Sequence, residues 1–271
     1  MDLYLTAGFG EPLGSETLAL IRRLGFCGIK QDLPDAVHQD AVWRELETES
    51  WLKAILLAKP VHIDQLSAVV HEMRTRGLVQ RTAVEVIGEP DTNDQTAPGL
   101  HAALMRVLAI TYPDITWVLG GVSGLHKRGV EFLKATMAAG VPHEVVVSVH
   151  PYRTTRTPDD PFYFRTRADE FAWLKTIADG RRIWSTECGW HTAPHLYTSC
   201  FFIQRTRTWT EDQVETFTRR ELALHRDAGI EVFAWFQFND GDLPEFHEHH
   251  YGLRRLDGSL KPVADVFRSL A

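Results

Sequence analysis

Residues 83–121 open on Ala83-Val84-Glu85-Val86-Ile87-Gly88-Glu89-Pro90. They continue through Gly99-Leu100-His101-Ala102-Ala103-Leu104-Met105-Arg106-Val107-Leu108 and close on Thr116-Trp117-Val118-Leu119-Gly120-Gly121. The two ends are short, apolar, β-branched runs that end at glycine, which is how a buried strand reads. The middle is longer, free of internal breakers and apolar on a helical period. Strand, helix, strand in so short a stretch is a β-α-β unit, whose crossover makes the two strands parallel. The alternation continues in both directions. Strands are expected at 3–8, 27–30, 54–58, 83–87, 116–120, 144–149, 183–186 and 231–236. Helices are expected at 15–24, 35–52, 63–76, 99–112, 127–139, 168–178, 211–228 and 263–270. Ser15 and Thr210 stand where N-caps belong, and Gly25, Gly77 and Gly140 where helices stop. Eight such units in one chain imply an α/β protein, a (β/α)8 TIM barrel, expected as a single catalytic domain over residues 1–271.

Composition fits that reading and excludes others. The 271 residues are 44% hydrophobic and 24% charged. Those proportions are ordinary for a globular chain. No apolar run approaches the ~18 residues of a membrane span. No signal peptide is visible at Met1-Asp2-Leu3-Tyr4, which places the chain in the cytoplasm unless it is processed. A net charge of −7 argues against a nucleic-acid partner. Cys27, Cys188 and Cys200 are an odd number at no metal spacing, so neither a disulfide framework nor a zinc site is expected.

In such barrels the chemistry sits at the C-terminal ends of the strands. Strand four ends Gly88-Glu89-Pro90-Asp91, strand six His150-Pro151-Tyr152, and strand seven Thr186-Glu187-Cys188-Gly189-Trp190. Strands four and seven lie nearly opposite each other. If Glu89 and Glu187 both point into the mouth, two carboxylates can flank one glycosidic bond. At about 5 Å apart one would serve as nucleophile and the other as acid/base. Alternation would then put Ile87 and Glu85 on the face of Glu89, and Ser185 and Ile183 on the face of Glu187. Cys188 would face away. Glu85 reads as a structural carboxylate inside the barrel, paired with Lys30.

Three segments carry a resemblance to the clan A, or 4/7, superfamily of retaining glycoside hydrolases. Glu85-Val86-Ile87-Gly88-Glu89-Pro90-Asp91 is similar to its strand-four acid/base motif, and Ile183 through Trp190 to its strand-seven nucleophile motif. Tyr251-Gly252-Leu253 and Asp257-Gly258-Ser259-Leu260-Lys261-Pro262 are similar to its closing segment. The resemblance implies hydrolysis of O-glycosidic bonds in an oligo- or polysaccharide by double displacement, with no metal and no cofactor. By it, Glu187 is the nucleophile and Glu89 the proton donor and later base. Tyr152 would orient the nucleophile, His150 would stand beside the acid/base, and Trp235 would be the platform under the sugar ring. Lys30, Trp190 and Arg153 complete the expected substrate-binding set. Two positions depart from the pattern. Gly88 stands where the family has Asn, which binds the sugar 2-hydroxyl, and Lys30 where it often has Arg.

The loops after strands six and seven are long. They carry Arg153, Arg156, Arg165, Arg167, Arg205 and Arg207 together with aromatic residues such as Phe162, Tyr163, Tyr197, Phe201 and Trp209. These arginines either grip an anionic glycan or stand in solvent and pair with Asp159, Asp160 and Asp169. Two rival functions share the barrel. A metal-dependent sugar isomerase or epimerase would use Glu89, His150 and Glu187 as ligands. A non-catalytic glycan-binding barrel would keep the shape without turnover. His247-Glu248-His249-His250 lacks the spacing of a helical metal pair and reads as a solvated loop. Gly120 to Gly124 is neither a nucleophile elbow nor a phosphate loop.

Overall fold

The computed structural model describes residues 1–7, 10–34, 37–92, 96–153, 156–161, 165–193, 208–242 and 247–270. Eight strands are present: β1 Asp2–Thr6, β2 Gly28–Asp32, β3 Lys53–Ala58, β4 Thr82–Val86, β5 Thr116–Leu119, β6 Val147–Val149, β7 Ile183–Cys188 and β8 Val232–Trp235. They alternate with α1 Ser15–Arg23, α2 Gln39–Thr48, α3 Leu66–Thr75, α4 Pro98–Thr111, α5 Lys127–Ala138, α6 Arg167–Ala178, α7 Glu211–Asp227 and α8 Val263–Arg268. All seven strand pairings are parallel, in the order β5-β4-β3-β2-β1-β8-β7-β6. The eighth seam, β5 to β6, is closed by single bridges, Val118 to Val146 and Val122 to Val149. The chain is therefore a (β/α)8 barrel.

Most expected boundaries lie within a few residues of the structure. Three differ for local reasons. β6 begins at Val147 rather than Glu144, because 144–146 only approach β5 through isolated bonds such as Val146 N–H to Trp117 O. The third helix is preceded by a 3-10 turn over Pro60–Gln65. Ser15 is inside α1 rather than its cap, and the free amides of Leu13 and Gly14 are taken by the Glu45 carboxylate of α2 at 3.0 and 2.7 Å. Thr210 does cap α7, in a reciprocal box with Gln213. The second helix starts at Gln39; Asp35, where it was expected to begin, lies outside the described residues.

Two apolar clusters divide at the strands. Tyr4, Ile55, Ala83, Val118, Val146, Trp184, Val232 and Ala234 fill the lower barrel. A larger cluster, including Val84, Val86, Phe233, Trp235 and Phe267, lies between the strands and the helix ring. Strand alternation makes that division: Val232 and Ala234 point in, Phe233 and Trp235 point out. Above the lower layer the interior turns polar, and there the site begins.

Candidate active site

Lys30 from β2, Glu85 from β4, Ser148 from β6 and Thr186 from β7 meet inside the barrel, all fully buried. Glu85 is the centre of this layer. One of its oxygens lies 2.9 Å from Lys30 Nζ. The other accepts from Gly121 N at 2.9 Å, from Thr186 at 3.1 Å and from Ser148 at 3.3 Å. The pairing of Glu85 with Lys30 follows the rule that buried charges are compensated.

One layer higher, Lys30 Nζ also donates to Glu187 Oε1 at 2.9 Å. Tyr152 donates its hydroxyl to Glu187 Oε2 at 3.0 Å. His150 lies between the two candidate carboxylates. Its Nδ1 is 3.1 Å from Glu89 Oε1 and 3.6 Å from Glu187 Oε2, and its Nε2 is 3.4 Å from Glu85 Oε1. An oxygen of Glu89 and one of Glu187 lie within 4.8 Å of each other. Gly121 makes room for the ring, since a Cβ there would lie 2.5 Å from His150 Cδ2 and Nε2.

The two glutamates reach the mouth by departures from strand geometry, not by alternation. β4 stops at Val86. Ile87 and Glu89 then take left-handed φ angles, 61 and 50 degrees respectively. Such angles are uncommon for non-glycine residues and an outlier for a β-branched one. Ile87 accordingly packs with the outer cluster and not beneath Glu89. On β7 the register shifts between Ser185 and Cys188. Trp184 packs inside the barrel and Thr186 bonds to Glu85, while Ile183 packs outside. The faces are thus opposite to those expected below Glu187. The shift lets Glu187 enter the mouth as well, and Cys188 turns outward toward Glu221 and His225 of α7, as expected.

Charge follows from these contacts. Burial disfavours ionised Glu187, but His150 and Lys30 outweigh it and hold the carboxyl below its ordinary value. Glu85 is held well below the carboxylate range against its own burial, by Lys30 and His150. Burial also opposes charge on His150, yet Glu187, Glu85 and Glu89 push it up to about 9. Burial and the Glu187 charge push the Tyr152 hydroxyl well up, so it remains a donor.

Trp235, Trp190 and Arg153 lie elsewhere than expected. Trp235 is wholly buried on the outer face of β8, packs on Phe267 of α8 and donates to Tyr251 O at 3.1 Å. Phe236, one residue on, turns into the mouth, edge-on to Tyr152 and Tyr251 with ring centroids 6.2 and 5.8 Å away. The alternation of Val232, Ala234 and Phe236 was the available signal. Phe236 and Gln237 line a cleft of about 250 Å³ between β1 and β8, with Thr6, Asn239, Asp240 and Glu248. Trp190 is buried and donates to Arg156 O at 3.2 Å. Arg153 is buried against Glu170 at 2.9 Å. Arg167 joins that layer, pairing with Glu170 and Glu221 at 2.8 Å each. These two arginines are structural, because two carboxylates buried between α6 and α7 need them. Arg165 stacks on Trp173, and Arg156 donates to Pro161 O. Arg205 and Arg207 lie outside the described residues, as do Phe162, Tyr163, Tyr197 and Phe201. Trp209 is buried against Phe217 of α7.

Residues 247–250 form a 3-10 turn, not a free loop; Gln237 donates to Glu248 O at 3.1 Å and Lys261 to His250 O at 3.1 Å. At Gly88 a Cβ would lie 3.2 Å from Leu57 Cδ1, so a larger residue requires that leucine to give way.

The same barrel occurs in glycoside hydrolases. A family 39 glycoside hydrolase from Bacteroides cellulosilyticus superposes with a TM-score of 0.71 at 20% identity over 100% of this chain. This chain spans 63% of the length of that protein. A β-1,3-glucanosyltransferase from Rhizomucor miehei, solved with laminaritriose, gives 0.67 at 13% identity and 96% of both chains. A family 128 endo-β-1,3-glucanase from Sorangium cellulosum gives 0.60 at 15% identity, covering 100% of this chain and 99% of its own. No family model and no curated protein matches the sequence. At these identities the likeness is one of fold, and the site must be read from its own residues. Among the described residues no helix is long and apolar enough to cross a membrane.

Glu89, His150 and Glu187 each offer one ligand atom within 4.8 Å of the others, a trio that a cation can use, although the Lys30 ammonium already holds Glu187. The arrangement fixes one charged carboxylate, Glu187, and sets a second, Glu89, against the His150 ring.

Proposed function

We propose that this protein is a retaining glycoside hydrolase acting on O-glycosidic bonds of an oligo- or polysaccharide. The observation that carries the reading is the approach of Glu89 and Glu187 to within 4.8 Å across His150. Such a gap suits a pair in which one carboxylate attacks carbon directly. An inverting pair stands about 6.5–9.5 Å apart to admit a water. Glu187 is suited to be the nucleophile. It is kept ionised by Lys30 and His150, and both of its oxygens are oriented, one by Lys30 and one by Tyr152. Glu89 is suited to be the acid/base. It is the more exposed of the two, at 34% against 16%, and it faces the mouth with His150 Nδ1 3.1 Å from one of its oxygens.

Glu187 attacks the anomeric carbon as Glu89 protonates the departing oxygen. Water, deprotonated by Glu89, then displaces Glu187 and frees the sugar. Phe236, not Trp235, is the aromatic surface available to the sugar ring. Arg153 and Arg167 are held in buried ion pairs with Glu170 and Glu221, so these two do not support an anionic preference.

The test uses the aryl glycoside that wild type cleaves fastest in a panel. Glu187→Ala is expected to lose turnover. Glu89→Ala is expected to retain part of it on the best leaving groups, which need no proton. A 2-fluoro glycoside should label Glu187, located by peptide mass. Wild-type rates in both variants, or a label elsewhere, would overturn the proposal.

A further inference from the structure

Among the described residues three that are not glycine take left-handed φ angles, and two of them, Ile87 and Glu89, flank Gly88 just beyond β4. The third, Asp179, closes α6, where that conformation is common. At Ile87 it is costly, because the side chain branches at Cβ. Such a conformation persists only where its surroundings hold it. Ile87 N–H bonds to Ala58 O at 2.8 Å and Glu89 N–H to Gly121 O at 2.9 Å, so both of these partners are main chain. The Val86 carbonyl is taken by a side chain, that of His101 in the first turn of α4, whose Nε2 lies 3.0 Å away. A carbonyl can only accept, so Nε2 carries the proton. The His101 ring is wholly buried, and its Nδ1 has no partner among the described residues. A buried nitrogen left unpaired is a cost that an apolar side chain there would avoid, so packing alone does not account for a histidine. The bond to Val86 is what the imidazole adds.

The peptide that joins Val86 to Ile87 is planar, so the direction of the Val86 carbonyl is tied to φ of Ile87. With β4 held below and Glu89 held above, Ile87 regains a negative φ by rotating that peptide, which carries the carbonyl away from His101. On the β5 side the turn fits because Gly120 is bare: a Cβ there would lie 2.5 Å from Val86 O and 1.7 Å from Ile87 O. We propose that His101 is a positioning residue of the site: its hydrogen bond to Val86 O fixes the peptide that keeps Ile87 left-handed, and so delivers Glu89 to the mouth. His101 touches no substrate and acts through the backbone of the turn. The consequence for turnover rests on the reading of Glu89 as acid/base, whereas the geometry of the turn does not.

Two variants separate the bond from the packing. His101→Phe keeps a ring and loses the donor; His101→Gln keeps an N–H of similar reach and loses the ring. Each is crystallised and assayed on aryl glycosides of graded leaving-group ability. In His101→Phe, Ile87 should return to negative φ and the approach of Glu89 to Glu187 should open beyond 4.8 Å. Its kcat should drop on the order of 10²-fold on the poorest leaving groups and little on the best, with KM little changed, as for a misplaced proton donor. His101→Gln should stay close to wild type in all these respects. The reverse order, with His101→Phe like wild type and His101→Gln impaired, overturns the proposal, as does a loss in His101→Phe that is equal for all leaving groups. If one variant alone folds, φ of Ile87 in that variant decides by the same criterion; if neither folds, His101 is a packing residue and the proposal fails. Should Ile87 relax in His101→Phe while Glu89→Ala keeps full activity, the acid/base reading of Glu89 fails and the role of His101 in the turn stands.

Discussion

Replacing Lys30 by Met removes the one ammonium that holds Glu85 and Glu187 at 2.9 Å each. Lys30 and Glu85 are 1% and 0% exposed, so solvent does not screen the loss. Breaking a buried pair by deleting one partner costs about 3–5 kcal/mol, because the remaining charge stays buried. At roughly 2–4 °C per kcal/mol for a domain of this size, the melting temperature at pH 7 should fall by about 10 °C. The pH dependence gives a sharper test. In wild type both carboxyls sit below their ordinary value. Their contribution is therefore present above about pH 4.3 and lost as pH falls through the lower folded value. Without Lys30 only His150 among the named groups opposes the burial that raises each carboxyl, so both move up from their wild-type positions. A raised carboxyl contributes stability fully below about pH 4.3 and loses it as pH climbs through the folded value. The deficit of Lys30→Met should therefore be widest at pH 7 and narrow at pH 5. Calorimetry of both proteins across pH 5–8 measures it. A variant that melts with wild type at pH 7, or a deficit equal at both ends, would refute the charge assignment.

Two further outcomes follow from packing. Gly121→Ala forces a Cβ to 2.5 Å from the His150 ring and 2.7 Å from Ser148 Oγ. Such overpacking should cost about 1–3 kcal/mol together with most of the activity; a variant that melts and turns over like wild type removes the proposed seat of His150. Trp235→Phe should lower the melting temperature by losing its bond to Tyr251 O without changing KM. Phe236→Ala should instead raise KM about five- to tenfold by removing a ring contact; a KM effect at Trp235 alone would restore it as the platform.

The barrel was legible because its signals are local. Short apolar runs, amphipathic segments and glycine or Thr caps recur within each unit, and eight repeats leave little choice of architecture. The positions of Glu89 and Glu187 were legible for the same reason: a strand end is visible in sequence, and in this fold strand ends define the mouth. Errors arose where a side chain's direction depends on phase. Counting alternation from Ala234 would have selected Phe236 over Trp235, but the resemblance pointed one residue earlier. The shift on β7 and the left-handed Ile87 and Glu89 leave no mark in composition, so Ile87, Ile183 and Ser185 were assigned to the wrong faces, while Glu85 lies inside as expected. Arg153 and Arg167 read as mouth residues because they flank loops. Their partners, Glu170 and Glu221, are on helices that only the folded chain brings against them.

What the sequence alone determined is the eight-unit barrel, the strand ends that carry Glu89, His150, Tyr152 and Glu187, and the pairing of Lys30 with Glu85. Those follow from hydrophobic period, from breakers, and from the rule that a charge inside a core needs an opposite charge. What only the tertiary structure decided is how the ionisable groups on and just beyond β2, β4, β6 and β7 share their charges. Glu85 and Glu187 belong to strands on opposite sides of the barrel, yet both touch the same ammonium. Their protonation is set by distances of 2.9 to 3.6 Å that arise when the barrel closes. Interactions of that range have no counterpart in local sequence.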